Sequence, residues 1–176
     1  MILTNNIFFT SDTFFGRNAI IELQKRPFKN ERDMNEAMIK SWNSKIKKTD
    51  TIFHLGNFAW DPVTAKEVLD RLNFGNLYMI KGANDEAIIE IAQNYKNVLV
   101  LDYPYIEIKW RNKDLILSHY PLLEWNEMEN GSFNLHGYSM KRIQNNNIKE
   151  CLRINVCADV WNLGPIDMET LIEFID

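Results

Sequence analysis

Three short apolar runs, each stopped by a polar or glycine-bearing loop, limit what this chain can fold into. Ile7 to Thr10 ends at Ser11-Asp12, Thr51 to Leu55 at Gly56-Asn57, and Leu77 to Ile80 at Lys81-Gly82. A helix-length segment separates each run from the next. Short continuous apolar runs with polar stops read as buried strands. Strands joined through helices pair in parallel, with right-handed crossovers. The linking segments carry helix signals. Asn30 can cap a helix from Asn30 to Ile46, with Asp33 at the third position and Met34, Met38 and Trp42 recurring every four residues. Asp61-Pro62 pairs a capping carboxylate with proline at the first helical position. Ala65, Val68, Leu69 and Leu72 then form one apolar face. Asp85 to Tyr95 reads as a further helix.

The second half changes character. Val98 to Leu101, Tyr105 to Trp110, Leu115 to Ser118, Phe133 to His136 and Leu152 to Val156 read as short strands, with Arg111 to Asp114 as a hairpin turn. Met168 to Ile175 has helical spacing. There is no repeat, low-complexity tract or linker, so residues 1–176 are expected to form one domain. In open α/β sheets ligands bind beyond the carboxyl ends of parallel strands. Asp12, Asn57 and the Gly82 to Asp85 loop should therefore meet on one rim.

Composition excludes some classes of function. The 176 residues are 45% hydrophobic and 25% charged, with a formal net charge of −4. That balance gives no broad attraction to long nucleic acid or to an anionic membrane. No apolar run approaches a membrane span, and "MILTNNIFF" lacks the basic start of a signal peptide, so a cytoplasmic protein is expected. Cys151 and Cys157 are expected to be buried thiols of a reducing compartment. The abundance of Asn, Lys and Ile points to an AT-rich bacterial or viral genome.

The segments "FFTSDTFFGR", "IFHLGNF", "MIKGAND", "ILSHYP" and "NLHGYSM" occur in that order. They resemble the five signature blocks of the calcineurin-like metallophosphoesterases, D-x-H, G-D, G-N-H-[DE], a lone H and G-H-x-H. "RPFKNERDMNEAMIKSWN" and "NVCADVWNLGPI" resemble the small prokaryotic and phage branch, so the likeness covers nearly the whole chain. It implies a four-layer αββα sandwich of the α/β class. It also implies a dinuclear metal centre, in which two cations clamp a phosphoryl group and a bridging hydroxide attacks it. Carried over position by position, most ligands are missing. Asp12 and His119 keep their types. Phe14 replaces the D-x-H histidine, Asn57 the bridging aspartate, Ala83 the G-N-H asparagine, and Tyr138 and Met140 the paired histidines. Asn84 stands where G-N-H has its phosphate-contacting histidine. Phe14 and Ala83 cannot coordinate a cation, and a Met140 thioether suits hard cations poorly. The expectation is a pseudoenzyme with no catalytic residue, no metal and no cofactor. His54 and His136, inside apolar strands, are expected to be hydrogen-bonded structural residues.

What remains suits an anion. Arg17 can bind phosphate by charge-assisted hydrogen bonds, with Lys81 and Lys141 as weaker candidates. Phe14 and Tyr138 offer aromatic faces for a base. Asp12, Asn57, Asn84 and His119 complete the expected ligand-binding set. The leading expectation is a non-catalytic binder of a phosphorylated, nucleotide-like ligand. In a virus, acting in the host cytoplasm, it could sequester a cyclic-nucleotide defence signal. The alternatives are a scaffold module, anchored by Trp60, Trp110, Trp125, Trp161, Tyr103 and Tyr105, and a residual metal-dependent phosphoesterase. A homodimer is compatible with so many aromatics.

Overall fold

The computed structural model describes residues 6–138 and 152–175. Two sheets pack face to face and are flanked by helices, the α/β sandwich expected. The first sheet holds β1 (Ile7–Thr10), β2 (Thr51–His54), β3 (Asn76–Ile80), β4 (Val98–Leu101) and β9 (Ile166–Asp167), in the order β4-β3-β2-β1-β9. β1 to β4 are parallel, and β9 runs antiparallel to β1. The second holds β5 (Tyr105–Trp110), β6 (Lys113–Ser118), β7 (Phe133–His136) and β8 (Arg153–Asn155) in chain order. β5 and β6 form an antiparallel hairpin, while β6, β7 and β8 are parallel.

Alternation along the strands sorts the core into two layers. Phe8, Ile52, Leu77 and Met79 face the helices α1 (Ala19–Gln24), α2 (Glu31–Lys45), α3 (Pro62–Arg71) and α4 (Glu86–Ala92). Ile7, Phe9, Phe53 and Ile80 face the second sheet, against Ile108, Leu115, Leu117, Leu135 and Ile154. Leu171 of α5 (Met168–Ile175) joins this inner layer. The outer face of the second sheet carries the register row Glu107, Ile116, Asn134 and Arg153. The chain at 122–126 lies over that row, hydrogen-bonded to Asn134, Arg153 and Glu107.

Most predicted elements appear within a residue or two of their expected limits. The Asn30 side chain accepts from Asp33 N at 2.9 Å, and Asp61 accepts from Thr64 N at 2.9 Å. Three elements had no sequence signal strong enough to read. α1 is only six residues long. β9 has two residues and borrows its pairing from β1. A 3-10 turn at Met128–Asn130 completes the set. The helix from Asp85 stops at Ala92, short of Tyr95. Asn30→Ala should cost about 1 kcal/mol of stability by chemical denaturation, since the first turn of α2 would lose its capping acceptor.

Candidate functional site

The parallel strands of both sheets end on one rim. The loop after β1 runs beside the loop after β2. Asp12 N donates to Gly56 O at 2.8 Å, Phe14 N to Asn57 O at 3.0 Å and Phe15 N to Phe58 O at 2.9 Å. The second sheet closes from the other side. His119 follows β6, Tyr138 follows β7, and Ser11 bridges to Cys157 just after β8. The fold therefore brings Asp12, Asn57, Asn84, His119 and Tyr138 together from segments far apart in the chain.

At the centre the Asp12 carboxylate is fully buried. Oδ1 accepts from Asn57 Nδ2 at 2.8 Å. Oδ2 accepts from Ser11 Oγ at 2.8 Å, the Tyr138 backbone N–H at 2.7 Å and the Cys157 thiol at 2.9 Å. Oδ2 thus takes three of the four donors and Oδ1 one. Asn57 continues the chain of bonds. Its Oδ1 accepts from Asn84 N and Asn84 Nδ2, both at 3.1 Å. Because the Asn84 N–H can only donate, the orientation of the Asn57 amide is fixed. Its Nδ2 then lies between Asp12 and His119 Nε2, the latter at 3.4 Å. His119 Nδ1 donates to Leu55 O at 2.6 Å. A carbonyl only accepts, so His119 carries its proton on Nδ1 and turns Nε2 toward the Asn57 amide.

The donor chemistry does not fit a dinuclear centre. Both Asp12 oxygens are occupied by protein hydrogens, and Asn57 presents its N–H side to Asp12 and His119. Among the described residues no group of three His, Cys, Asp or Glu side chains is placed to hold a cation. Met140 lies outside the described residues.

Backbone conformation marks the same rim. Asp12, Phe14, Asn57 and Tyr138 have φ of 53°, 50°, 61° and 64°, all left-handed. That region costs an L-residue roughly 1–2 kcal/mol and is least forgiving for bulky side chains. Asp85 helps to hold it. Its buried carboxylate accepts from Asn57 N at 2.7 Å, Phe58 N at 2.8 Å and Gly82 N at 2.6 Å, tying two loops together. Burial pushes this carboxyl above its ordinary range, while the three N–H donors pull it back. Gly56 and Gly82 let the two loops touch beneath His119. A Cβ on Gly56 would lie 2.5 Å from His119 Nδ1 and 2.8 Å from Gly82.

Arg26 clamps the β1 loop from behind. Its guanidinium is bidentate to Asp159, with Nε to Oδ1 at 2.9 Å and Nη2 to Oδ2 at 2.7 Å. Nη2 also donates to Asp12 O at 2.7 Å, and Nη1 to Thr13 O at 2.8 Å. Both side chains of the pair are excluded from solvent. Sequence reasoning passed over Arg26 and Asp159 as site-building residues. Each lies in one of the two long segments that carried the wider resemblance, which was the available signal.

Arg17 follows the β1 loop and is half-buried. Its Cζ lies 4.8 Å from the Phe14 ring centroid and 4.5 Å from that of Trp60. Both distances are within cation–π range. Nε is buried without a hydrogen-bond partner, and among the described residues no carboxylate pairs with Arg17. Phe14, expected to offer an open face, is 2% exposed and belongs to the helix-side core. The accessible aromatic faces are Trp60, Tyr120 and Tyr138, at 51%, 49% and 46% exposure. Tyr120 and Tyr138 lie 4.7 Å apart, and both rings meet His119. Asn84 is half-buried and Lys81 is exposed, whereas Lys141 lies outside the described residues. Cys157 is buried, and Cys151 lies outside them.

The other two histidines are structural. His54 Nε2 meets Thr13 Oγ1 at 2.9 Å, and Thr13 Oγ1 donates onward to Phe58 O. Burial, reinforced by nearby His119, lowers the His54 pKa to about 3. Burial lowers that of His136 to about 4, and its Nδ1 donates to Gly137 O at 2.9 Å.

No protein-family profile matches the sequence. An uncharacterized protein of Methanocaldococcus jannaschii is 27% identical over 173 residues, covering 97% of this chain and 91% of the relative. A protein of unknown function from Aquifex aeolicus superposes with a TM-score of 0.75 at 22% identity, covering 98% of this chain and all of that one. The Aquifex likeness shows the fold. An archaeal phosphodiesterase superposes at TM-score 0.48 and 15% identity, over 85% of this chain and 82% of that one.

Two predictions test this geometry. Arg26→Met strands Asp159 as a buried charge and should cost about 3–5 kcal/mol in denaturant titrations. Adding Asp159→Leu should recover only part of that, because the Asp12 and Thr13 carbonyls stay without their donor. The histidines predict a pH dependence. Their folded pKa values of about 3 and 4 lie below the unfolded value of 6.5, so the unfolded chain binds more protons in between. Their contribution is complete above that value and is lost as pH falls toward the folded ones, at up to about 1.4 kcal/mol per pH unit for each histidine. His54→Phe should flatten the slope of stability between pH 6 and 4 by about one proton's worth. Asp85 works in the opposite sense and cancels in that comparison.

Proposed function

We propose that this protein is a metal-free member of the metallophosphoesterase superfamily that binds an anionic, nucleotide-like ligand at the rim without cleaving it. The observation that carries the reading is Arg17, a cation held between Phe14 and Trp60 with no acidic partner among the described residues. A guanidinium fixed in this way is preorganised for the planar fork by which arginine grips phosphate oxygens. Asn84, half-buried and bonded to Asn57, offers a further amide for the ligand. Trp60, Tyr120 and Tyr138 supply exposed ring faces for a base. The floor contributes shape rather than chemistry. Asp12, Phe14, Asn57 and His119 are at most 2% exposed, and the polar groups among them bond to one another.

Binding is then a property of the rim, and phosphate needs no cation to mediate it. The five-block resemblance supports the superfamily, and the loss of its ligands supports binding without hydrolysis. In a virus such binding would serve to sequester a host nucleotide signal, a use supported by the phage-branch likeness of residues 26–43 and 155–166.

The scaffold reading draws on the exposed Trp60, Tyr103 and Tyr105. Trp110, Trp125 and Trp161 do not serve it. Trp110 is in the core, and the indole N–H groups of Trp125 and Trp161 are bonded inward to Ser132 and to Asn155 O.

Calorimetric titration with linear and cyclic mono- and dinucleotides, and with pyrophosphate, tests the proposal. Saturable binding with no product formed in the presence of manganese is the expected result. Arg17→Gln should weaken it by about ten-fold or more, the loss of one charge-assisted contact. No heat with any of these ligands would overturn the proposal, as would turnover.

A further inference from the structure

The second sheet ends in an edge strand whose sequence is nearly self-complementary. β5 pairs with β6 on one side, and among the described residues its other side meets no strand. A two-residue turn at Arg111-Asn112 makes Trp110 and Lys113 the hydrogen-bonded pair nearest the loop. Hydrogen-bonding direction alternates along a strand. The backbone groups of Trp110, Ile108 and Ile106 therefore point at β6, and those of Lys109, Glu107 and Tyr105 point outward. Such an edge is a template for another strand.

Charge selects the partner. Two antiparallel copies of β5 can be related by a two-fold axis through Glu107, Ile108 or Lys109. An axis at Glu107 sets glutamate against glutamate, and one at Lys109 sets lysine against lysine. An axis at Ile108 sets Glu107 opposite Lys109 of the second copy, twice by symmetry, in the outward-bonding register. Ile108 then faces its own copy, and Ile106 faces Trp110, on the side that packs between the two sheets. Ile108 and Trp110 already belong to that core.

The neighbouring side chains extend the pattern. Lys109 Nζ pairs with Asp114 Oδ1 at 3.2 Å on the same outer face. In the Ile108 register the row reads Asp114, Lys109, then Glu107 of the second copy, so charges alternate across the seam. Asn126 Nδ2 holds Glu107 Oε2 at 3.1 Å, which orients the carboxylate over the sheet. The loop that joins this edge to β4 adds Tyr103, 64% exposed, and Tyr105 is 45% exposed. Opposite charges directly across strands stabilise pairing, and like charges oppose it.

We propose that the chain forms a two-fold symmetric dimer by antiparallel pairing of β5 with β5 of a second copy, centred on Ile108, so that the two four-stranded sheets become one. An isologous interface of this kind closes on itself and leaves β5 with no free edge.

Charge reversal tests the register. The molar mass of the full chain is measured by sedimentation equilibrium across a concentration series. Wild type should be a dimer. Glu107→Lys places two lysines against each other twice, and Lys109→Glu does the same with glutamates. Each should weaken dimerisation by about ten-fold or more, with unchanged far-ultraviolet circular dichroism. The double variant E107K/K109E exchanges the signs and should restore the dimer. A monomeric wild type would overturn the proposal, as would a dimer indifferent to both reversals or a double variant weaker than either single one.

Discussion

A carboxylate buried in a protein must be neutralised, paired or surrounded by donors. Asp12 is surrounded. The side chains of Ser11, Asn57 and Cys157 and the backbone of Tyr138 take its lone pairs, and every one of those contacts comes from a loop that follows a strand. Removing any one donor would leave charge uncompensated in a low-dielectric interior, at about 1–3 kcal/mol or more. This one constraint accounts for much of the rim. It sets the amide orientation of Asn57, and through it the positions of Asn84 and His119.

The same constraint explains how the rim keeps its shape. Asn57 meets Asp12 with a neutral amide, so neutral donors suffice around the one carboxylate. The strained turns stay in place because they are tied elsewhere. Asp85 gathers three backbone N–H groups, and Arg26 binds the Asp12 and Thr13 carbonyls while paired with Asp159. The hydrogen bonds at the centre are thereby separate from those that hold the loops around it.

How much of this was legible in the sequence depended on range. Elements set by local rules were readable: the Asn30 and Asp61 caps, the period-four face of α2, and the apolar strands with their polar stops. Convergence of Asp12, Asn57 and the Gly82 loop followed from parallel topology. What sequence could not give was side-chain partnership across long separations. Arg26 and Asp159 are 133 positions apart, and Cys157 and Asp12 are 145 apart. Nothing local marks either pair. Phe14 shows the complementary difficulty. An aromatic beside a polar rim can face a pocket or fill the core, and only packing decides; here the ring sits in the core beneath Arg17.

The measurement closest to the centre of this account is the metal content of the purified protein after equilibration with excess manganese or zinc and removal of the unbound ions. If protein hydrogens occupy both oxygens of Asp12, metal should stay at trace levels and the melting temperature should not respond to the cation. Two equivalents of tightly held metal, lost on substituting Asp12 or His119, would contradict it.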